Sequence, residues 1–208
     1  MRKSTKFAID VLEKSSFSNL LDVGCGKCKM TSIIARECPN ISITASDSLD
    51  MSLYVPMGVD FKKVSVYDLS KVFGAEKFEV VMSQHVFEHL HDVYSAFQEF
   101  VVCTKKRGYI ILETPNWTRL FIPFHNDFFW NDYSHVRIFT KKSFANLAKE
   151  FGLEVVLVQS LSSITLKDSF RALVTSGLHP VIFLKRLVGV CINPLLKDSV
   201  MLVARKHE

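Results

Sequence analysis

The sequence has no internal repeat, no low-complexity tract and no Pro/Gly/Ser-rich linker, so a fibrous chain, a disordered chain and a visibly divided two-domain chain are all excluded. It also lacks a strong charge of either sign. Lys and Arg number 26 against 21 Asp and Glu, and the resulting +5 is short of the concentrated basic stripe that nucleic-acid binding requires. The opening MRKSTK and the mixed run after it, broken by Asp10, lack the apolar core of a signal peptide, which makes a cytoplasmic location the expectation. Cysteines are present but odd in number (Cys25, Cys28, Cys38, Cys103, Cys191) and unevenly spaced, which argues against a secreted disulfide framework. The most apolar stretch, Leu178 to Leu196, carries Lys185 and Arg186 near its centre and prolines at 180 and 194, so spanning a membrane is costly.

What is present suits one globular domain over residues 1–208, since 48% of the residues are hydrophobic and 17 Phe, 5 Tyr and 2 Trp can fill a core. Short β-branched or apolar runs alternate with helical patterns. Strands are expected at Asn19 to Val23, Ile41 to Ser46, Phe61 to Val66, Phe78 to Ser83, Tyr109 to Thr114, Leu153 to Gln159 and Val200 to Ala204. Helices are expected at Thr5 to Lys14, Met30 to Glu37, Val93 to Val102 and Lys141 to Phe151. This alternation predicts an α/β fold: a Rossmann-like, doubly wound sheet with helices on both faces and ligands at the carboxyl ends of its strands. Two segments break the pattern and read as insertions. One, about 115–140, holds eight aromatics and suits a lid; the other, 161–199, separates the last two strands.

Residues 19 to 28, Asn-Leu-Leu-Asp-Val-Gly-Cys-Gly-Lys-Cys, form an apolar strand that runs into a glycine turn and then a helix. Gly24 and Gly26 let the backbone approach a ligand, and the helix that follows offers unpaired N–H groups. Asp47, at the end of the next strand, supplies a carboxylate suited to both hydroxyls of a ribose. A nucleoside-bearing cofactor is the implication. A dinucleotide fingerprint would need a third glycine at position 29, where Lys29 stands, so a nicotinamide dehydrogenase is disfavoured.

Here the chain resembles the class I S-adenosylmethionine-dependent methyltransferases, closest to the type 11/23-like group that acts on small molecules, glycans and quinones. The resemblance rests on Asp22-Val-Gly24-Cys-Gly26-Lys-Cys28, on Phe78 to Asp92 (FEVVMSQHVFEHLHD), on Arg107 to Asn116 (RGYIILETPN), on His135-Val-Arg-Ile-Phe-Thr and on Phe151-Gly-Leu. It implies seven strands, mostly parallel with an antiparallel last strand, and S-adenosyl-L-methionine as cofactor. It further implies that Asp22, Gly24 and Gly26 line the methionine part, with Cys25 in the same loop. Asp47 and its neighbour Ser48 would lie at the ribose, Asp68 at the adenine and Gln84 on the carbon-sulfur side. Two departures stand out: Cys28 replaces the last family glycine, and Glu79 stands where Asp is commoner.

The expected reaction is methyl transfer to an oxygen or nitrogen of a small-molecule, glycan or lipid-linked acceptor, with His135, then His85, then His125 as candidate bases. A non-catalytic, cofactor-binding partner subunit is the alternative from another class. His85-Val-Phe-Glu88-His89 also matches the inverted zinc-peptidase pattern H-x-x-E-H, and Cys25-x-x-Cys28 has zinc or redox spacing; neither shows enough further ligands in the sequence, so no metal is expected. From Leu161 to the end seven bases face three acids, which places most of the excess charge beside Leu178 to Leu196. That segment is expected to form amphipathic helices, with peripheral contact to anionic lipid as one use.

Overall fold

The computed structural model describes residues 3–14, 17–121, 128–161 and 199–208. His125, Asp127 and the whole Leu178 to Leu196 segment therefore lie outside the described residues. In chain order the elements are α1 (Lys3–Lys14), β1 (Asn19–Val23), α2 (Lys29–Glu37), β2 (Ser42–Asp47), β3 (Asp60–Lys63), α3 (Leu69–Phe73), β4 (Phe78–Gln84), α4 (Val93–Cys103), β5 (Thr104–Pro115), α5 (Lys141–Glu150), β6 (Glu154–Leu161) and β7 (Ser199–Arg205). The seven strands form one sheet in the order β3-β2-β1-β4-β5-β7-β6. Strands β3, β2, β1, β4 and β5 pair in parallel, and β7 runs antiparallel between β5 and β6. The expected Rossmann-like sheet with an antiparallel last strand is the one observed.

The period-2 alternation of the strands sorts their side chains onto two faces. Leu21, Val81, Ile110 and Leu202 pack with Phe97 and Phe100 of α4 and Phe144 of α5. Leu20, Val80, Ile111 and Val203 turn to the other face and meet Ala8 and Leu12 of α1 and Ile34 of α2. Both faces are covered, so β1, β4 and β7 read as nearly unbroken apolar runs. α5 starts with a reciprocal cap: Thr140 Oγ1 accepts from Ser143 N at 3.1 Å while Ser143 Oγ accepts from Thr140 N at 2.8 Å.

Shifts of one or two residues aside, three departures from expectation stand out, the first being β5, which begins at Thr104 and not at the expected Tyr109. The third strand, expected at Phe61 to Val66, covers only Asp60–Lys63, because an edge strand with one neighbour and exposed alternate residues has little to hold it beyond four ladder positions. The five-residue α3 was not anticipated, being too short to show a helical period. Glu79 is accommodated by reaching back to the start of β1. Its Oε2 accepts from Ser18 N at 2.6 Å and from Asn19 N at 3.2 Å, and Lys105 Nζ lies 3.3 Å from Oε1. Burial alone would raise its carboxyl, but these bonds outweigh burial and hold it below the ordinary range.

The aromatic segment divides by burial. Phe129 and Phe139 are buried, Phe139 stacking on Phe144 at 4.6 Å, whereas Trp130 and Tyr133 are exposed. No described helix is long and apolar enough to cross a membrane.

Candidate functional site

Strand order reverses between β1 and β4, the place where an open α/β sheet leaves a crevice at its carboxyl edge. The register Val23↔Ser83 brings the ends of these two strands side by side. Gly24 begins the loop after β1 with φ +71°, and a Cβ built on it would stand 2.2 Å from Val86 Cγ2. Only glycine allows the two loops to close this tightly. Gly24 N and Cys25 N both donate to Ser46 O, at 2.8 and 3.0 Å, which ties the turn to β2. Cys28, the residue in place of the family glycine, adopts the left-handed conformation (φ 51°) with its side chain buried, so the backbone path of a glycine is kept at a cost of about 1–2 kcal/mol.

Two cavities of about 540 Å³ each open at this edge and share Gly24 and His85. The first is lined by Asp22, Cys25, Lys27, Lys29 and Gln84, together with Thr5 from α1. The second is lined by Gly26, Asp47, Ser48, Val66, Tyr67 and His89, among others. Of the eight residues expected to hold the cofactor, seven therefore border the two cavities. Asp68 does not: it precedes α3, pairs with Lys71, and leaves Ser65 to Tyr67 as the part of that segment facing the second cavity.

Asp47 accepts from Gly26 N at 2.9 Å through Oδ2 and from Leu49 N at 3.0 Å through Oδ1. Each oxygen keeps a second lone pair, so the carboxylate both pins the glycine loop and remains an acceptor for two hydroxyls. Asp22 is buried at the base of the first cavity, and Thr31 Oγ1 donates to its Oδ2 at 2.5 Å. Burial pushes its carboxyl up to about 6, against the Thr31 bond, and nearby Asp47 adds to the rise. Gln84 Nε2 donates to Glu113 Oε2 at 2.9 Å. The Cys25 thiol is pushed up by burial and by Cys28 beside it, which disfavours a free thiolate there.

The histidines fall into distinct positions. His85 follows β4 with φ +55°, borders both cavities, and sets its Nδ1 3.2 Å from Glu88 Oε1. A carboxylate accepts, so this contact fixes the proton on Nδ1. Residues Phe87–His89 form a single 3-10 turn rather than an α-helix, so His85 and His89 do not stand one α-helical turn apart as the inverted zinc-peptidase pattern requires. His135 lies beside them instead of at either cavity. Val136 N and Arg137 N both donate to Glu88 O, at 2.9 and 3.2 Å, and this clamp sets the His135 ring 4.7 Å from the His89 ring. The approach of His135 to Glu88 and His89, across 46 residues of chain, left no mark in the sequence, and neither did the contribution of Thr5.

Nothing in this geometry opposes an adenosine-bearing methyl donor. A glycine cradle that a Cβ would fill, a ribose-competent carboxylate and paired cavities meeting at Gly24 all suit one. Comparison with known proteins agrees. A family model described as a methyltransferase domain matches residues 2–158. None of the curated proteins matches the chain. Among solved structures, a SAM-dependent methyltransferase from Archaeoglobus fulgidus is 17% identical, with TM-score 0.67 over 97% of this chain and 94% of its own. Phosphoethanolamine N-methyltransferase 2 of Haemonchus contortus, solved with S-adenosyl-L-methionine, is 13% identical at TM-score 0.65, over 98% of this chain and 53% of its own. A geranyl diphosphate methyltransferase in complex with GPP and sinefungin is 14% identical at TM-score 0.66, covering 97% and 76%. With the family model spanning most of its length, the chain belongs to the methyltransferase-domain family and is a class I S-adenosylmethionine-dependent methyltransferase.

Proposed function

We propose that the protein methylates an oxygen or nitrogen of a small-molecule, glycan or lipid-linked acceptor, with His85 as the base. The observation that carries this reading is the position of His85, which borders both cavities while Glu88, buried behind it, fixes its tautomer. S-adenosylmethionine, when bound, supplies a methyl group on a sulfonium whose leaving group is already activated. The protein is then left with alignment, exclusion of water and a proton to remove. Gly24 and Gly26 bring backbone to the ligand, and Asp47 accepts from the ribose. With its Nδ1 proton held by Glu88, His85 presents Nε2 as the basic nitrogen, and Glu88 stabilises the imidazolium formed when that nitrogen takes the acceptor's proton. His135 ranks below His85 because its Nδ1 lies 2.6 Å from Phe129 O and its ring packs on Phe129 at 4.4 Å, away from both cavities. Lys27 and Lys29 on the first cavity favour an acceptor with a phosphate or carboxylate. The apolar segment 178–196 with Lys185 and Arg186 is read as the contact for anionic lipid, which vesicle sedimentation tests.

Calorimetry with S-adenosylmethionine and S-adenosylhomocysteine, followed by turnover on a panel of sugar, phenol and lipid-phosphate acceptors, tests the reading. Asp47→Ala is expected to weaken cofactor binding by at least about tenfold, and His85→Ala to lower kcat about 100-fold with cofactor affinity retained. Absence of binding would refute the cofactor site. Tight binding with no turnover on any acceptor would favour the partner-subunit alternative.

A further inference from the structure

Behind the cavity rim, Glu88, His89 and His135 each offer one ligand atom, and the three atoms lie within 4.8 Å of one another. The Glu88 carboxylate is 1% exposed, and its Oε2 is buried with no hydrogen-bond partner among the described residues. A buried carboxylate oxygen left without a partner costs about 1–3 kcal/mol, more when charged, and a cation is one group that can meet it. His85 Nδ1 lies 3.2 Å from Oε1, the oxygen that also stands 4.0 Å from His89 Nε2.

The two imidazoles are oriented as metal ligands are. Phe129 O, 2.6 Å from His135 Nδ1, can only accept, so His135 carries its proton on Nδ1 and its lone pair on Nε2. Ser134 Oγ donates to Asp132 Oδ1 at 2.5 Å and, with its own proton spent there, accepts from His89 Nδ1 at 2.9 Å. His89 therefore also keeps its lone pair on Nε2. Outer partners of this kind, a carbonyl and a hydroxyl backed by a carboxylate, set ring angle and tautomer in metal sites. Asp132 adds a second negative charge, with Oδ2 3.8 Å from His135 Nε2. Two carboxylates and two neutral imidazoles suit a doubly charged ion.

We propose that Glu88, His89 and His135 bind a divalent first-row transition-metal ion of the zinc, cobalt or manganese kind. Ligand atoms each about 2.1 Å from one tetrahedral ion stand about 3.4 Å apart, so closing an arrangement that now spans up to 4.8 Å needs a relative movement of up to about 1.4 Å, shared between the two part-exposed rings. Three protein ligands leave the shell open, and because His89 also borders the second cavity the open side suits water or an acceptor hydroxyl. This set differs from the H-x-x-E-H pattern: His85 is excluded from it and His135, distant in sequence, completes it. Binding of the ion does not depend on which acceptor is methylated.

The test uses the full chain, stripped with a chelator and titrated with Co²⁺ and then Zn²⁺. One equivalent is expected, with a Co²⁺ visible spectrum lacking a thiolate charge-transfer band. His89→Ala and His135→Ala should each weaken binding at least about tenfold, whereas His85→Ala should change it by less than about threefold. Nitrogen-15 NMR of labelled histidine in the unmutated protein gives a readout independent of variant folding: Zn²⁺ should shift Nε2 of His89 and His135 and leave both Nδ1 protonated. No bound ion, a thiolate band pointing to Cys25 and Cys28, or binding that survives His135→Ala would overturn the site.

Discussion

Gly24→Ala isolates the most constrained contact of the cofactor edge. The substitution meets two separate costs. Alanine at φ +71° costs about 1–2 kcal/mol for the left-handed backbone, and a Cβ 2.2 Å from Val86 Cγ2 adds an overpacking cost of about 1–3 kcal/mol. The expected loss of about 2–5 kcal/mol is a large part of an ordinary domain's stability, so urea denaturation will read it directly. Val86→Ala removes the clashing methyl and by itself should cost about 1–1.5 kcal/mol of lost burial. The backbone cost survives in the double variant and the clash does not. Gly24→Ala with Val86→Ala should therefore be about 1–3 kcal/mol more stable than the sum of the single effects predicts. Cofactor affinity should track the same cycle, since Gly24 borders both cavities. Additivity within about 0.5 kcal/mol, or a Gly24→Ala cost below about 1 kcal/mol, would refute the argument that the two loops meet only because residue 24 has no side chain.

Asp22, whose folded-state carboxyl sits at about 6 instead of 3.8, binds its proton more tightly folded than unfolded, so its contribution to stability falls as pH rises from about 4 to 6. The difference corresponds to about 3 kcal/mol; urea denaturation from pH 4 to 7 should show the ligand-free protein losing stability relative to Asp22→Asn, and parallel curves would refute the burial argument. Phe87→Ala should cost about 3–5 kcal/mol in the same assay, because Phe87 meets Phe97, Phe100 and Phe139 edge-on at 6.2, 5.2 and 6.3 Å. It should also weaken cofactor binding by loosening the turn that carries Glu88 and His89, and a stability loss near zero would show that this turn is not anchored through its phenylalanine.

The strands were legible because nearly every one is buried on both sides or alternates cleanly, and burial writes itself into composition. β3 was drawn too long because Val64 and Val66 look like strand residues; they are core-facing residues of the segment that follows the strand. The glycine loop and Asp47 were legible for a local reason, since strand, turn and acid fall in sequence order. Asp68 was read by the same logic, but it stands at the N-terminal boundary of the unanticipated α3 without a side-chain cap bond, and its carboxylate pairs with Lys71. Contacts made across the fold, such as Thr5 at the first cavity or the Glu88 carbonyl holding Val136 and Arg137, leave no periodicity to read.

The segment from Gln84 to Leu90 shows how little separates two chemistries written in the same letters. On an α-helix, His85 and His89 would share a face one turn apart, with Glu88 beside them as the base of a metallopeptidase. His85 instead takes φ +55° where it leaves β4, and Phe87–His89 close a 3-10 turn, in which residues three apart eclipse each other. His85 precedes that turn, and its Nδ1 stands 3.2 Å from Glu88 Oε1. The tight backbone also sends Phe87 and Glu88 inward together, one into the aromatic core and the other under the rim, and leaves His85 and His89 on the cavity side. What fixes this choice is the neighbouring strand: β1 and β4 end in register, Val86 must seat on Gly24, and a helix starting at residue 85 would carry Val86 off that seat. The glycine at 24 thus bears, through one methyl group of Val86, on how the turn that carries Glu88 and His89 is seated.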